Sequence, residues 1–252
     1  MPAAKVTRLR EKVAKLKEEI ARLNVINGEL QASPDKQISL TDPDARSMAT
    51  SGRDTGIVGY NVQAAVDSEN HLIVAHEVTN IGTDHHHLAN IAAQAREALG
   101  AETLDAVADR GYYEGGAIKA CADAGITMTL PKPLTSGAKA KGRFGKQDFV
   151  YDAADDTYRC PAGERLTYRF AREERGKVIR RYWTSACGTC PFKAQCTPAG
   201  ERRIPRWEHE AVLDVVQARL DNNPDAMRLR RQTAEHPFGT IKAGWVGRIS
   251  SR

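Results

Sequence analysis

Long apolar runs are absent from this 252-residue sequence. No stretch approaches the roughly 20 apolar residues that a membrane-spanning helix needs, and the basic N-terminus lacks the apolar core of a signal peptide. Cysteine is also scarce, since five residues in a chain of this length do not indicate a disulfide framework. These absences predict a cytoplasmic protein.

Positive charge is present in excess. Lysine and arginine number 37 against 32 acidic residues, which gives a formal net charge of +5. The basic residues cluster at 132–146, 172–181 and 228–231, with aromatic residues between the clusters. One such cluster is typical of a solvated surface, but three favour a polyanionic partner such as nucleic acid, and hence a location on the nucleoid.

Residues 1–32 are predicted to form a coiled-coil helix, because apolar residues recur at alternating steps of three and four from residue 6 to residue 30. Leucine occupies every d position, and the a positions are Val6, Val13, Ile20 and Asn27. Branched residues at a with leucine at d favour a parallel pair of helices, and one asparagine at a fixes the register. Residues 6–30 therefore predict a homodimer; the alternative is an amphipathic helix lying on its own domain.

The central part of the chain predicts an α/β fold. Residues 33–58 are interpreted as a linker, and residues 59–131 as the first part of a core. Within that part the pattern predicts, in order, strands at 59–67 and 71–80, a helix at 84–100, a strand at 104–108, a helix at 114–124 and a strand at 126–130. The second of these strands is expected to be central and largely buried. Acidic residues follow the strand ends, where open sheets bind ligands.

The last part of the chain interrupts this pattern. Residues 132–225 are predicted to form an insertion subdomain of β character, and residues 226–252 a final helix with a tail. On that helix Arg231, Glu235 and Lys242 are spaced by four and seven residues, which places all three on one face. A solvated helix face is the simpler interpretation of this pattern when it is taken alone.

Two upstream aspartates give the pattern more weight. Asp67 and Asp109 each end a short apolar run. If they converge with Glu235, three carboxylates could hold two Mg²⁺ or Mn²⁺ ions roughly 3.5–4 Å apart, the arrangement that cuts and joins phosphodiester bonds in line. The sequence therefore predicts a catalytic metal site made of these three acids.

Three segments resemble motifs of the DDE transposases of bacterial insertion sequences. They are GYNVQAAVD ending at Asp67, VADRGYY containing Asp109, and the pattern RxxxExxxxxxK from Arg231 to Lys242. The resemblance covers about residues 40 to 242. It implies an RNase H-like mixed sheet flanked by helices, with a long insertion between the last strand and the last helix.

The same resemblance implies roles for particular residues. Asp67 would lie on the first strand, Asp109 just after the fourth and Glu235 on the helix that follows the insertion. Basic residues of that helix would contact double-stranded DNA, both the element ends and the target; these are Arg228, Arg230, Arg231 and Lys242. The activity implied is Mg²⁺-dependent strand cleavage and transfer.

The sequence also departs from the family pattern. Arg228 replaces the usual tyrosine three residues before Arg231, Pro237 follows Glu235 closely and predicts a kink, and the chain stops at Arg252. A copy truncated at both ends is the expectation that follows. Two alternatives stay open: an inactive DNA-binding and dimerising remnant, and a nuclease that cuts without joining.

Four cysteines form a second constellation in the insertion, Cys160, Cys187, Cys190 and Cys196. The two-residue gap between Cys187 and Cys190 allows both thiolates to bind one tetrahedral metal ion, so a structural Zn²⁺ is one interpretation. A redox dithiol and unligated thiols are the others, while Cys121 is expected to be a core residue. The run His85–His87 is predicted to be solvated, and Asp42 is predicted to form a turn.

Overall fold

The computed structural model describes residues 3–49, 56–134 and 136–249, with side chains for 6–48, 56–134 and 136–241. It divides into two compact units. The first comprises Met1–Ala64 and His76–Asp84, and the second comprises Ala65–Ala75 and His85–Arg252. Within the described residues, no helix is long and apolar enough to cross a membrane.

The helices are α1 (Ala3–Ala32), α2 (Leu88–Ala98), α3 (Gly115–Asp123), α4 (Lys193–Cys196), α5 (Glu210–Asn222) and α6 (Ala226–Ile249). The strands are β1 (Arg46–Ala49), β2 (Gly56–Gly59), β3 (Asn61–Val66), β4 (Ile73–Thr79), β5 (Leu104–Val107), β6 (Ile126–Thr129), β7 (Val150–Asp152), β8 (Thr157–Arg159), β9 (Arg165–Glu174), β10 (Lys177–Trp183) and β11 (Ile204–Trp207).

The first unit contains the long helix α1, and most of its apolar heptad positions are exposed. Leu16 is 62% exposed and Val13 is 49% exposed, and their neighbours along the seam are similar. The stretch interpreted as a linker also contains structure, because β1 and β2 pair as antiparallel strands. Asp42 accepts a hydrogen bond from the backbone N–H of Asp44 at 3.2 Å, which confirms its predicted role in a turn.

The main core of the second unit is built on a parallel β5–α3–β6 unit. β5 pairs with β6 in the register Leu104↔Ile126, and a helical crossover is the usual connection between parallel strands. Gly125 ends α3 with a φ of 73°, a left-handed conformation that glycine adopts without a Cβ clash. Buried side chains of α2, α3, α5 and the β6 segment meet there: Leu88, Ala92, Ile118, Cys121, Ile126, Met128, Leu130 and Val216.

The strands of the predicted core do not join into one sheet among the described residues. β3 pairs with β4, and β5 pairs with β6, each as a two-stranded sheet. The α/β class is therefore confirmed, whereas the RNase H-like sheet is not. The prediction that β4 is largely buried was wrong: only Ala75 of this strand is buried, where it packs on Ile91 and Ala95 of α2. A strand paired on one side and covered over a single residue keeps most of its side chains in solvent.

The predicted insertion contains a five-stranded antiparallel sheet in the order β11-β10-β9-β8-β7. A two-residue turn joins β9 to β10, and its residues Arg175 and Gly176 both have positive φ, as a type I′ hairpin turn requires. One face of the sheet buries a small core of Phe149, Tyr158, Leu166, Tyr182 and Ile204.

Buried charges connect this sheet to the helices of the second unit. Glu210, 5% exposed, begins α5 and accepts a hydrogen bond from the Trp207 backbone N–H at 2.9 Å while it forms an ion pair with Lys146. Arg206, 6% exposed, donates to Asp214 at 2.6 Å. Removing one partner of such a pair leaves an uncompensated buried charge, so these pairs fix the position of the sheet against α5.

Candidate catalytic site

Asp109 lies at the end of β5, as the sequence predicts. The Ala108 backbone N–H donates to the Thr129 carbonyl at 3.0 Å, which extends the β5–β6 pairing up to this aspartate. One carboxylate oxygen, Oδ1, accepts from the Gly111 backbone N–H at 2.7 Å and so caps the short 3-10 turn Arg110–Tyr112. The other oxygen, Oδ2, is left to face α6.

Arg230 of α6 links two of the three predicted acids. Its Nη2 atom lies 3.1 Å from Asp109 Oδ2, and its Nη1 atom lies 3.2 Å from Glu235 Oε1. The Arg230 side chain is 22% exposed, while the side chains of Asp109 and Glu235 are 41% and 61% exposed. Two carboxylates that are 126 residues apart in the chain thus share one cation at the protein surface.

Helix α6 carries Glu235 without a break. The helix is continuous from Ala226 to Ile249 and includes Pro237, so the structure assigns no interruption at the proline. Thr233, one of its few buried residues, donates its hydroxyl to the Leu229 carbonyl at 2.9 Å. Glu235 follows Thr233 by two residues and points to a different, exposed side of the helix.

Asp67 lies in the turn between β3 and β4. Its Oδ2 atom accepts from the Asn70 backbone N–H at 2.6 Å and from Asn70 Nδ2 at 3.0 Å. The backbone hydrogen bond from Asn70 lowers the pKa of the Asp67 carboxyl, against a smaller opposing effect of burial. The carboxylate is therefore stabilised in its charged form, which is the form that binds a metal ion.

A pair of histidines connects this turn to α6. The His71 and His236 rings meet edge to face with their centroids 5.2 Å apart. Since His71 follows Asp67 by four residues and His236 adjoins Glu235, the contact places the turn against the helix. Among the side chains that the structure describes, however, no three histidine, cysteine, aspartate or glutamate residues are arranged to hold a metal ion. Asp109 and Glu235 meet around Arg230, and Asp67 does not complete a three-acid group.

The predicted DNA contacts lie on the same helix. Arg231 is exposed, and Arg228 forms a solvent-exposed ion pair with Asp225 at 3.3 Å. Lys242 is on α6, but its side chain is outside the described part of the structure. The sequence pattern selected Arg231 as the partner of Glu235 by its spacing of four, whereas the ion pair is made by Arg230. No spacing rule reveals that pair, because the long arginine side chain reaches it from a neighbouring face.

The histidine run differs from its prediction. His85 and His86 are exposed, but His87 is 6% exposed and occupies the cap position at the start of α2. The expectation of a solvated run was wrong at this last position, because Leu88 turns the chain into the core immediately afterwards. The other expectation for a buried side chain is confirmed: Cys121 is 1% exposed, and burial raises the pKa of its thiol to about 11.

The four cysteines of the constellation lie in two connections between strands of the five-stranded sheet. Cys160 follows β8, Cys187 and Cys190 lie on and after a 3-10 turn, and Cys196 ends α4. All four line one small cavity of about 20 Å³. Each thiol is free in the structure.

Comparison with known proteins adds one finding. Residues 159–248, just over a third of the chain, match a protein family described as Transposase DDE domain. This segment of the chain is therefore similar to the DDE transposases. The matched segment contains the four clustered cysteines, Arg230 and Glu235. It also contains Arg231 and Lys242, two of the predicted DNA contacts on α6. Asp67 and Asp109 lie outside it. No curated protein and no solved structure matches the chain.

Proposed function

We propose that this chain is a DNA transposase whose Asp67, Asp109 and Glu235 bind the catalytic Mg²⁺ ions. The observation that supports the proposal most directly is the position of Arg230 between Asp109 and Glu235. A guanidinium shared by two carboxylates from distant parts of the chain marks a place where a cation is favoured. Mg²⁺ takes carboxylate oxygens as ligands and carries twice the charge of an arginine.

The donor set fits a magnesium ion in its chemistry. All three candidate ligands are carboxylates, hard oxygen donors that suit Mg²⁺ or Mn²⁺ rather than softer metals. Asp109 and Glu235 are partly exposed, so an ion can reach them from solvent. Asp67, on the turn that the His71–His236 contact holds near α6, is the third donor of the proposed site. When bound, Mg²⁺ would activate the attacking oxygen and stabilise charge on the leaving one.

The protein's own residues would prepare this chemistry. The Gly111 N–H holds one oxygen of Asp109 and leaves the other free to bind a cation. Arg230 keeps Asp109 and Glu235 from repelling each other before the metal ion binds. With a metal ion held by the carboxylates, the guanidinium of Arg230 would be available to a DNA phosphate, as would Arg228, Arg231 and Lys242.

Dimerisation through α1 belongs to the same proposal. The seam residues of this helix are about half exposed or more, as Leu9, Leu16 and Leu23 illustrate. Burying such a seam against a second copy would remove its apolar surface from water. A pair of chains would bring two catalytic sites to the two ends of a mobile element. The DNA substrate would place the protein on the nucleoid, in the cytoplasm.

Metal-dependent nicking of a supercoiled plasmid tests the catalytic part of the proposal. Wild-type protein, Glu235→Gln and the control Asp221→Asn are compared in Mg²⁺ and in EDTA. Asp221 is an exposed acid near the end of α5 that accepts a hydrogen bond from Gln217 at 2.8 Å. Asp221→Asn changes the net charge by the same amount as Glu235→Gln. We expect nicking by wild type and Asp221→Asn in Mg²⁺ alone, and a loss of at least about 100-fold in Glu235→Gln.

A second function is favoured by one observation, the lack of a three-carboxylate group among the described side chains. A DNA-binding, dimerising protein without catalysis would bind duplex DNA with an affinity that falls steeply with salt, and it would not cut. Binding by all three proteins with no nicking in Mg²⁺ or Mn²⁺ would therefore replace the transposase proposal with this one. Nicking that persists in Glu235→Gln would remove Glu235 from the site.

A further inference from the structure

The loop between β10 and β11 is held in place by little apolar burial. It runs from Thr184 to Arg203, and Thr197 is its single buried residue in the described structure. A segment of this length, ordered with one turn of helix and one 3-10 turn, has few contacts to offset its conformational entropy. Small structures of this kind are usually braced by a disulfide or a metal ion. This loop carries three of the four clustered cysteines.

The fourth cysteine lies in the turn between β8 and β9. Cys160 opens a tight turn in which the Gly163 backbone N–H donates to its carbonyl at 2.8 Å, and its own N–H donates to the Glu164 carbonyl at 3.0 Å. Gly163 has a φ of 85° and makes this turn sharp. Together with Cys187, Cys190 and Cys196, this residue surrounds a cavity whose other walls include Phe144 and Phe149. The cavity is therefore rich in sulfur and shielded by aromatic rings.

Cations line the same cavity. Arg202 and Lys193 both contribute to its wall. The Nε atom of Arg202 is buried and has no hydrogen-bond partner among the described residues. A thiolate sulfur is an acceptor that this N–H could use, and the two positive charges would balance the net charge of four thiolates around a divalent ion.

We propose that Cys160, Cys187, Cys190 and Cys196 bind one Zn²⁺ ion that braces the loop between β10 and β11 against the five-stranded sheet. No three of these thiols converge at ligand spacing among the described side chains, so binding requires their Sγ atoms to turn inward around the cavity. Four thiolates fill a tetrahedral zinc shell and leave no open position, so the ion is structural. The inference goes beyond the proposed DNA chemistry and does not depend on it.

The test is the metal content of the full chain. Protein purified without chelator, then dialysed after exposure to ZnCl₂, is analysed by elemental and native mass spectrometry. We expect about one zinc per chain in wild type and below about a tenth of an equivalent in Cys160→Ser and Cys190→Ser. Cys121→Ala is the matched control, because Cys121 is buried in α3 away from the cavity, and it should keep its zinc.

A second measurement decides the matter if the serine variants do not fold. A mercurial reagent added to wild-type protein should release about one zinc as about four thiols react. Wild-type protein without zinc overturns the proposal, as does zinc that survives Cys160→Ser. A mass two hydrogens lower with no metal, together with a disulfide mapped to Cys187 and Cys190 by peptide digestion, would replace the zinc site with a redox disulfide. Because none of these readouts involves DNA, failure here is separate from failure of the transposase proposal.

Discussion

Acidic residues have different contacts in two regions of this protein, the Arg230 site and the five-stranded sheet. In the sheet, Asp156 accepts hydrogen bonds from the hydroxyls of Tyr151 and Tyr182, both at 2.7 Å, and it also pairs with Arg180 at 3.0 Å. Its carboxylate oxygens are therefore used in contacts that stabilise the fold. At the Arg230 site, Glu235 pairs with the guanidinium of Arg230 at 3.2 Å, and its side chain is 61% exposed.

The difference indicates how structural and functional carboxylates can be told apart. A carboxylate whose acceptor sites are filled by the protein's own donors gains little from a metal ion, because those bonds would have to be broken first. Asp109 is intermediate, since one oxygen caps a turn and the other faces Arg230. A carboxylate with one oxygen bonded to the backbone is held in position, and its other oxygen can still bind a cation. On this view the sheet should respond to mutation with lost stability, and the Arg230 site with lost activity.

The largest expected effect is on the sheet core. Tyr182 is fully buried, and its ring contacts Tyr158 with a centroid distance of 5.2 Å. Tyr182→Ala should lower the free energy of unfolding by about 3–5 kcal/mol, because a large side chain is removed from a small core. Urea denaturation followed by circular dichroism measures the change. Tyr168→Ala, the same substitution at a side chain that is 42% exposed, should cost less than about 1 kcal/mol; equal costs would contradict the assignment of the core.

The next effect should appear in activity without a change in stability. Asp109→Asn keeps the shape and the oxygen that caps Gly111, but it removes the charge that faces Arg230. DNA nicking should fall at least about 100-fold, a loss of about 2.7 kcal/mol of transition-state stabilisation. Asp105→Asn, an exposed aspartate on the same strand, should nick at the wild-type rate. A lower thermal midpoint in Asp109→Asn would instead indicate that Asp109, like Asp156, stabilises the fold.

The order of elements in the second unit could be predicted from sequence because it depends on local patterns. The helix predicted at 114–124 and the strand predicted at 126–130 are found as α3 and β6. Glycines mark both boundaries, and helical periodicity marks the apolar face. The position of Asp109 at the end of β5 follows from the same local reasoning, and so does the resumption of helix at α5 and α6.

Contacts between distant residues could not be predicted in the same way. Arg230 pairs with Asp109 across 121 positions, and no periodic signal records that pair. The exposure of β4 was also mispredicted, because a hydrophobic run does not say how many neighbours the strand will have. The pairing of β1 with β2, inside the segment interpreted as a linker, was not predicted for a related reason. The composition of this segment does not indicate strands, and the two become strands by pairing with each other.

Acid should reveal the structural role of Asp156. Burial raises the pKa of this carboxyl, but the hydroxyls of Tyr151 and Tyr182 and the charge of Arg180 outweigh that effect, so the net pKa is lowered. A lowered folded pKa contributes stability above the unfolded value of about 3.9, and the contribution is lost as pH falls through the folded pKa. Asp156→Asn should therefore cost about 1–2 kcal/mol at pH 7, at the low end for charged hydrogen bonds because the side chain is a third exposed.

Urea denaturation of wild type and Asp156→Asn from pH 7 down to pH 3 measures this contribution. The gap between the two stabilities should narrow as the pH falls below the unfolded pKa of about 3.9, because the charge-dependent contribution starts to be lost there. The neighbouring change Asp155→Asn removes an exposed pair with Arg165 and should stay within about 0.5 kcal/mol at every pH. A gap between wild type and Asp156→Asn that stays constant with pH would mean that shape, and not charge, makes the contribution.

The smallest expected effect tests whether the Arg230 guanidinium stands where a metal ion binds. If it does, Arg230→Gln removes a competitor, and DNA-free protein should bind Mn²⁺ up to about fivefold more tightly, the equivalent of an exposed ion pair of about 1 kcal/mol. Titration followed by electron paramagnetic resonance measures free Mn²⁺ directly. Arg231→Gln removes the same charge from the adjacent, exposed position and should leave the affinity unchanged. Weaker binding in Arg230→Gln would show that the arginine assembles the two carboxylates and does not compete for them, which would make Arg230 a structural residue, like the arginines of the sheet.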